Sequence, residues 1–195
     1  MANSKRRCGA CKTYFRPEQT FPGTVVWCSP GCGLIVAQKR IPAVKAKQAR
    51  TERAQTKEAR ERIKTRAKWM REAQAAWNGY VRARDHGKKC ASCGAAPSPK
   101  IGGSIDCSHY RSVGSAPHLR FNLHNAAAAC VKCNRYLSGN IAALRIGLID
   151  RIGLEKVEAL ESNCESKKYD IEYLKRIKRI FTARAKRLKM RYNID

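Results

Sequence analysis

A helix-rich α+β protein organised by two four-cysteine zinc sites is the fold class this sequence predicts, and three observations carry the prediction. Eight of the ten cysteines fall into four close pairs, Cys8/Cys11, Cys28/Cys32, Cys90/Cys93 and Cys130/Cys133. Two separated pairs make one tetrahedral thiolate site, so the eight predict two structural Zn2+ ions and leave Cys107 and Cys164 over. Residues 43–83 consist mostly of Ala, Lys, Arg, Glu and Gln, with no Gly or Pro before Gly79, a composition that favours helix. Beyond the last cysteine pair, apolar residues recur at helical spacing in three further segments.

Taken in order, residues 1–40 read as an N-terminal zinc knuckle. Thr13, Tyr14, Phe15, Thr24, Val25, Val26 and Trp27 suit a β-hairpin between the first two cysteine pairs. Ser29 is placed to cap a helix from about Gly31 to Arg40. So small a module needs its metal to fold.

Residues 41–84 form a long basic helix or linker. Its first half is polar nearly all round and reads as a solvated spacer in preference to a DNA-binding arm. In the second half Ile63, Ala67, Met70, Ala73, Trp77 and Tyr80 or Val81 recur at three- and four-residue steps and make a face to bury.

Residues 85–150 hold the second zinc site. Gly, Pro and Ser clusters at 94–104 and 112–117 mark loops, with a strand at Ser104–Tyr110 between them. Residues 151–195 form a basic helical extension. Ile141–Ile152, Glu155–Ser162 and Ile171–Met190 read as three helices, the last capped by Asp170 and carrying the stripe Ile171, Leu174, Ile177, Phe181, Leu188.

Forty-one Lys and Arg against 15 Asp and Glu give a formal net charge of +26, so the expected large partner is a polyanion. No apolar run approaches the length needed to cross a bilayer, and neither a signal peptide nor a lipidation motif is present. The expected compartment is a reducing cytoplasm, where clustered cysteines bind metal rather than form a disulfide framework.

Within residues 85–150 the order is Cys90, Cys93, Asp106, His109, Asn125, Cys130, Cys133, Asn134. Hydrolysis of a phosphodiester needs a base to deprotonate water, and the His109 imidazole suits that near neutral pH. It also needs a hard cation against the charge that builds on phosphate, and oxygen donors such as Asp106 and Asn134 suit Mg2+ or Mn2+. Asn134 has an equal alternative as a helix cap. Arg111, Arg120, Lys132 and Arg135 lie close by in sequence and are candidates to hold phosphates.

These residues resemble the HNH, or ββα-metal, nucleases, whose zinc-containing branch brackets the core with two CxxC pairs. The run Asn125–Asn134, N-A-A-A-A-C-V-K-C-N, matches the pattern of Asn, four residues, Cys-x-x-Cys and Asn. The resemblance implies that Asn125 orients His109 by tying down the hairpin and that Asn134 holds the catalytic metal. One departure is that most of these nucleases place the metal-binding acid directly before the His. Here Ser108 stands there and Asp106 lies three positions upstream of His109. In an ideal strand those two face opposite sides, so either the strand bulges or the metal is held differently, for instance with Asn140 or water.

A narrower resemblance rests on CxxC and CSxxC at the N-terminus, D-x-x-H-Y-R at 106–111, L-R-F-N at 119–122, S-G-N at 138–140, R-I-G at 151–153 and E-S-N at 161–163. It points to the NinG, or Rap, family of lambdoid phage recombination proteins. That implies a structure-selective endonuclease in the host cytoplasm, acting on branched DNA such as Holliday junctions and D-loops. It also implies a homodimer to match two-fold symmetric junctions, and leaves room for a recombination-protein partner. The alternative is a non-catalytic zinc protein that binds nucleic acid.

Overall fold

The computed structural model describes residues 5–16, 26–97 and 105–194, and the chain divides into two compact units, Met1–Ile63 and Lys64–Asp195. Among the described residues no helix is long and apolar enough to cross a membrane.

In the first unit, strands β1 (Arg6–Arg7) and β2 (Tyr14–Phe15) pair antiparallel, with Arg6 opposite Phe15. The hairpin therefore wraps around the first cysteine pair, whereas the sequence suggested one between the two pairs. The turn closes through Cys8 N–H to the Thr13 carbonyl (2.8 Å) and Lys12 N–H to the Cys8 carbonyl (3.1 Å), with Lys12 left-handed at φ 65°. Thr24 and Val25, expected in that hairpin, lie outside the described residues, and Val26 accepts a hydrogen bond from Gly9 (2.7 Å).

Helix α1 (Pro30–Arg62) starts as expected, with the Ser29 hydroxyl accepting from Cys32 N–H and Pro30 in the first turn. It does not stop near Arg40 but runs through Pro42. Proline costs one helical hydrogen bond, and strong helix formers on both sides outweigh that loss on an exposed rod. Every residue from 43 to 60 is exposed.

The single helix expected over 43–83 is broken at 63–65, where Thr65 caps a new helix α2 (Arg66–Arg84) by accepting from Lys68 N–H. The apolar face is also displaced. Trp69, Ala73, Trp77 and Val81 are buried at steps of four, while Ile63, read as the start of that face, is 81% exposed.

In the second unit, β3 (Ile105–His109) pairs antiparallel with β4 (Ala126–Cys130) in an unbroken register from Ile105↔Cys130 to His109↔Ala126. Helices cover both faces. Ala126 and Cys107 pack with Trp77, Leu174, Ile177 and Phe181 of the layer formed by α2 and α5 (Ile171–Tyr192), and with Phe121 of the β3–β4 loop. Ala127 packs with Leu144, Leu148, Val157 and Leu160 of α3 (Ile141–Ile152) and α4 (Leu154–Ser162). A sheet enclosed on both sides has room for little beyond alanine, and Ala126–Ala129 are all buried. Asp170 caps α5 as expected, accepting from Tyr173 N–H at 2.7 Å.

Candidate functional site

The two expected cysteine quartets assemble. Cys8, Cys11, Cys28 and Cys32 form one cluster and Cys90, Cys93, Cys130 and Cys133 the other, with all sulfurs in each within 4.8 Å of one another. Four Zn–S bonds of about 2.3 Å in a tetrahedron put sulfurs roughly 3.8 Å apart. Cys28–Cys32 at 3.7 Å and Cys93–Cys130 at 3.8 Å match that spacing, and Cys11–Cys28 is slightly closer at 3.4 Å. Both clusters could bind zinc.

In the second cluster Cys90 is prepared for anionic sulfur, whereas burial pushes the Cys130 and Cys133 thiols up. Burial works to raise the Cys90 thiol, but backbone N–H groups of Cys93, Cys130 and Ser92 outweigh it and hold the group at about 6. Cys130 N–H donates to Cys90 Sγ (3.2 Å) and Cys133 N–H to Cys130 Sγ (3.5 Å). Asn140 donates its amide to Cys133 Sγ at 3.6 Å. It thus serves the cysteine cluster and does not complete an oxygen-donor site.

His109 ends β3 with its side chain half-buried. Its Nε2 lies 3.0 Å from the backbone carbonyl oxygen of Arg120. A carbonyl only accepts, so Nε2 carries the proton and Nδ1 keeps its lone pair. Burial is the main reason its pKa lies below the ordinary 6.5, and the imidazole is neutral at pH 7.

Asn125 is buried just before β4 and ties the intervening loop to itself. Its Oδ1 accepts from Arg111 N–H (2.8 Å), and its Nδ2 donates to the carbonyls of Arg111 (3.0 Å) and Leu119 (3.2 Å). Since Leu119 adjoins Arg120, that network sets the carbonyl on which His109 rests.

Asp106 and Asn134 meet, with Asn134 Nδ2 donating to Asp106 Oδ2 at 3.1 Å. Asn134 lies in a π-helical turn, Lys132–Tyr136, and so does not cap a following α-helix. Arg135 in the same turn grips the carboxylate with both arms, Nε to Oδ2 at 2.7 Å and Nη2 to Oδ1 at 3.1 Å, and this pairing is the main cause of the lowered Asp106 pKa.

The bulge considered for β3 is absent. Continuous register places Asp106 and Ser108 on one face with Ala129 and Ala127, and Cys107 and His109 on the other with Ala128 and Ala126. The imidazole therefore leaves the strand toward the α2/α5 layer and the carboxylate toward the π-turn, so the structure does not gather His109, Asp106 and Asn134 around one point.

The expected phosphate-holding residues are dispersed too. Lys132 is exposed, and Arg135 is engaged with Asp106. Arg111 donates to the Glu161 carbonyl (2.8 Å), while Arg120 donates to Gln74 Oε1 (3.0 Å).

Two organising acids carried no sequence signal. Buried Asp85 receives Arg84 and Lys88, stands 3.5 Å from Arg151, and accepts from Ala128 N–H (3.0 Å), which ties α2 to β4. Glu161 is bound by Arg145 and the Tyr110 hydroxyl, which together hold its carboxyl down at about 2. Both sit on or beside helices, where a single acid looks like any solvated charge.

The architecture defines a basic, double-tetracysteine protein in which the second quartet brackets an enclosed two-stranded sheet. Comparison with known proteins identifies the family. A model described as Bacteriophage Lambda NinG protein matches residues 1–191, and the chain belongs to the NinG family of lambdoid phage proteins. Protein ninG of Escherichia phage lambda is 36% identical over 199 residues, covering 95% of this chain and 94% of that protein. Protein ninG of Salmonella phage P22 is 34% identical over 200 residues, covering 96% and 95%. No solved structure matches.

Proposed function

We propose that this protein is a metal-dependent endonuclease that hydrolyses phosphodiesters in branched DNA during phage recombination, with His109 as general base. The observation that carries the reading is the state of the imidazole. Its Nε2–H is spent on the Arg120 carbonyl, burial keeps the ring neutral, and Nδ1 is left as an acceptor at the end of a strand.

In the step this supports, Nδ1 takes a proton from water and the water oxygen attacks phosphorus. The bond from phosphorus to the 3′-oxygen breaks, that oxygen takes a proton from solvent, and the products are a 5′-phosphate and a 3′-hydroxyl. Asp106 and Asn134 stand on the face of β3 opposite the imidazole, with Arg135 on the carboxylate; turned toward the same phosphate, they would hold a Mg2+ or Mn2+ ion that would supply positive charge against its oxygens. The residue types fit a hard cation, and the Arg135 guanidinium already stands on Asp106 as a cation would. The shift from position 108 to 106 keeps the acid on the same face of β3, because the two positions differ by one full pleat. Two copies on a two-fold symmetric junction would place one His109 at each of two strands.

A second reading, a non-catalytic zinc protein that binds nucleic acid, is favoured by the engaged Asp106 carboxylate and by the opposite faces of residues 106 and 109. One experiment separates them. The zinc-loaded protein and its His109→Ala variant are incubated with a labelled four-way junction, with and without magnesium or manganese. The nuclease reading expects metal-dependent scission by the parent and a loss of about 10²–10⁴-fold in the variant with junction binding kept. Intact DNA in every lane despite binding would leave the second reading; equal cutting by both proteins would remove His109 as the base.

A further inference from the structure

On the His109 side of the sheet, a cavity of about 400 Å³ opens between the start of α2, the β3–β4 loop and the segment before α5. Four cations line it, Arg66, Arg71, Arg120 and Lys167, with Tyr169 and Met70 among the wall residues and no acid.

These cations differ from the others of this unit that meet carboxylates. Arg84 and Lys88 pair with Asp85, Arg145 with Glu161, Arg135 with Asp106, and Lys64 and Lys178 with Glu72. Among the described residues none of the four cavity cations makes an ion pair. Arg66 donates Nε to the Tyr169 carbonyl (2.7 Å), and the Lys167 ammonium lies over the rings of Tyr169 and Tyr173. Arg120 is tethered to Gln74 while its Nε is buried without a partner. The neighbouring acids are already engaged, Glu72 by Lys64 and Lys178, and Asp170 as the cap of α5.

Converging cations, one of them partly desolvated, repel one another unless an anion enters. Guanidinium forks and an ammonium match phosphate oxygens in geometry and charge. We propose that this cavity binds a backbone phosphate of a nucleic-acid strand, with Arg66, Arg71 and Lys167 closing on it and Arg120 as the fixed charge at its base. Arg120 also receives His109 Nε2 on its carbonyl, so one residue joins the held phosphate to the imidazole. The site stands whether or not the chain cuts DNA, since binding is measured without magnesium or manganese.

The test uses the zinc-loaded full chain. Arginine side-chain Nε–Hε resonances are followed by NMR as a four-way junction, or separately inorganic phosphate, is added. The junction is expected to move the signals of Arg66, Arg71 and Arg120. In parallel, the triple variant Arg66→Gln, Arg71→Gln, Lys167→Gln is expected to bind DNA at least about tenfold more weakly at moderate salt. Its dependence of log K on log salt should be shallower by about 0.9, the contribution of one phosphate. Stationary arginine signals with DNA bound, or an unchanged salt slope in the triple variant, would overturn the proposal. Signals that answer inorganic phosphate but not DNA would make the cavity a small-anion site and overturn it equally.

Discussion

His109 and Asn125 form a relay in which a buried amide holds the loop, the loop presents a carbonyl, and the carbonyl sets the imidazole. Burial disfavours the imidazolium, so the folded pKa lies below the unfolded 6.5. If His109 is the proposed base it is competent when neutral, and the proposed cleavage should then rise with pH along a limb centred below 6.5. The same shift makes the folded chain bind fewer protons than the unfolded one beneath pH 6.5, so this group's contribution to stability falls as pH drops through the folded pKa. An NMR titration of His109 with a midpoint at or above 6.5 would contradict both. Asn125→Ala leaves the amide and carbonyl of Arg111 and the carbonyl of Leu119 without their side-chain partner. It should cost about 2–4 kcal/mol in urea unfolding, and a loss under 1 kcal/mol would show that the loop holds itself. That these two residues belong to one hydrogen-bonded loop was legible because both lie in a motif of fixed spacing. The opposed faces of Asp106 and His109 followed from period-two alternation and conflicted only with a shared site, a conflict that unbroken pairing with β4 resolves in favour of alternation.

Helix boundaries follow caps more closely than composition. Asp170 and Ser29 announced their helices by residue type, and α3, α4 and α5 fall within two residues of their expected limits because Gly153 and the 163–168 segment interrupt the apolar repeat. The break at 63–65 has no Gly or Pro to mark it, only Thr65, one threonine in a polar run. β4 was hard to read as a strand because four alanines favour helix; enclosure between two layers overrides that propensity. The same closeness appears where α3 meets the loop of the Cys90/Cys93 pair, because a Cβ on Gly147 would lie 1.8 Å from the Ala91 carbonyl oxygen. Gly147→Ala must push α3 off that loop. We expect a loss of at least about 1–3 kcal/mol and faster zinc release to a chelator, since Ala91 follows Cys90 directly. Wild-type stability and release rate would mean that helix and loop slide freely.

At the scale of the molecule, the two units would depend on zinc at their cysteine clusters to different degrees. In the first, Cys8 and Val36 are the buried apolar residues among those described, so little beyond the sulfur cluster holds β1, β2 and the start of α1 together. The second unit has a core the cysteines do not supply, built from Trp69, Trp77, Phe121, Tyr169, Leu174 and Phe181, with aromatic edge-to-face contacts such as Trp77–Phe181 at 4.5 Å. Its cysteine cluster is a satellite around Ala129. Cys11→Ser should therefore remove one zinc and disorder the hairpin, leaving the near-ultraviolet signal of Trp69 and Trp77 and the cooperative unfolding of the second unit unchanged. Cys93→Ser should remove the other zinc and loosen β4 and the π-turn that carries Asn134 and Arg135, with the α2/α5 packing retained. On the nuclease reading, that variant is expected to lose cleavage while keeping its aromatic signature, because it disturbs Asp106's partners Asn134 and Arg135 and leaves the hydrophobic core intact. Collapse of the tryptophan signal in step with release of either zinc would show instead that one cooperative structure spans metal and core, and that thiolate coordination, not the apolar clusters, is what folds the larger unit.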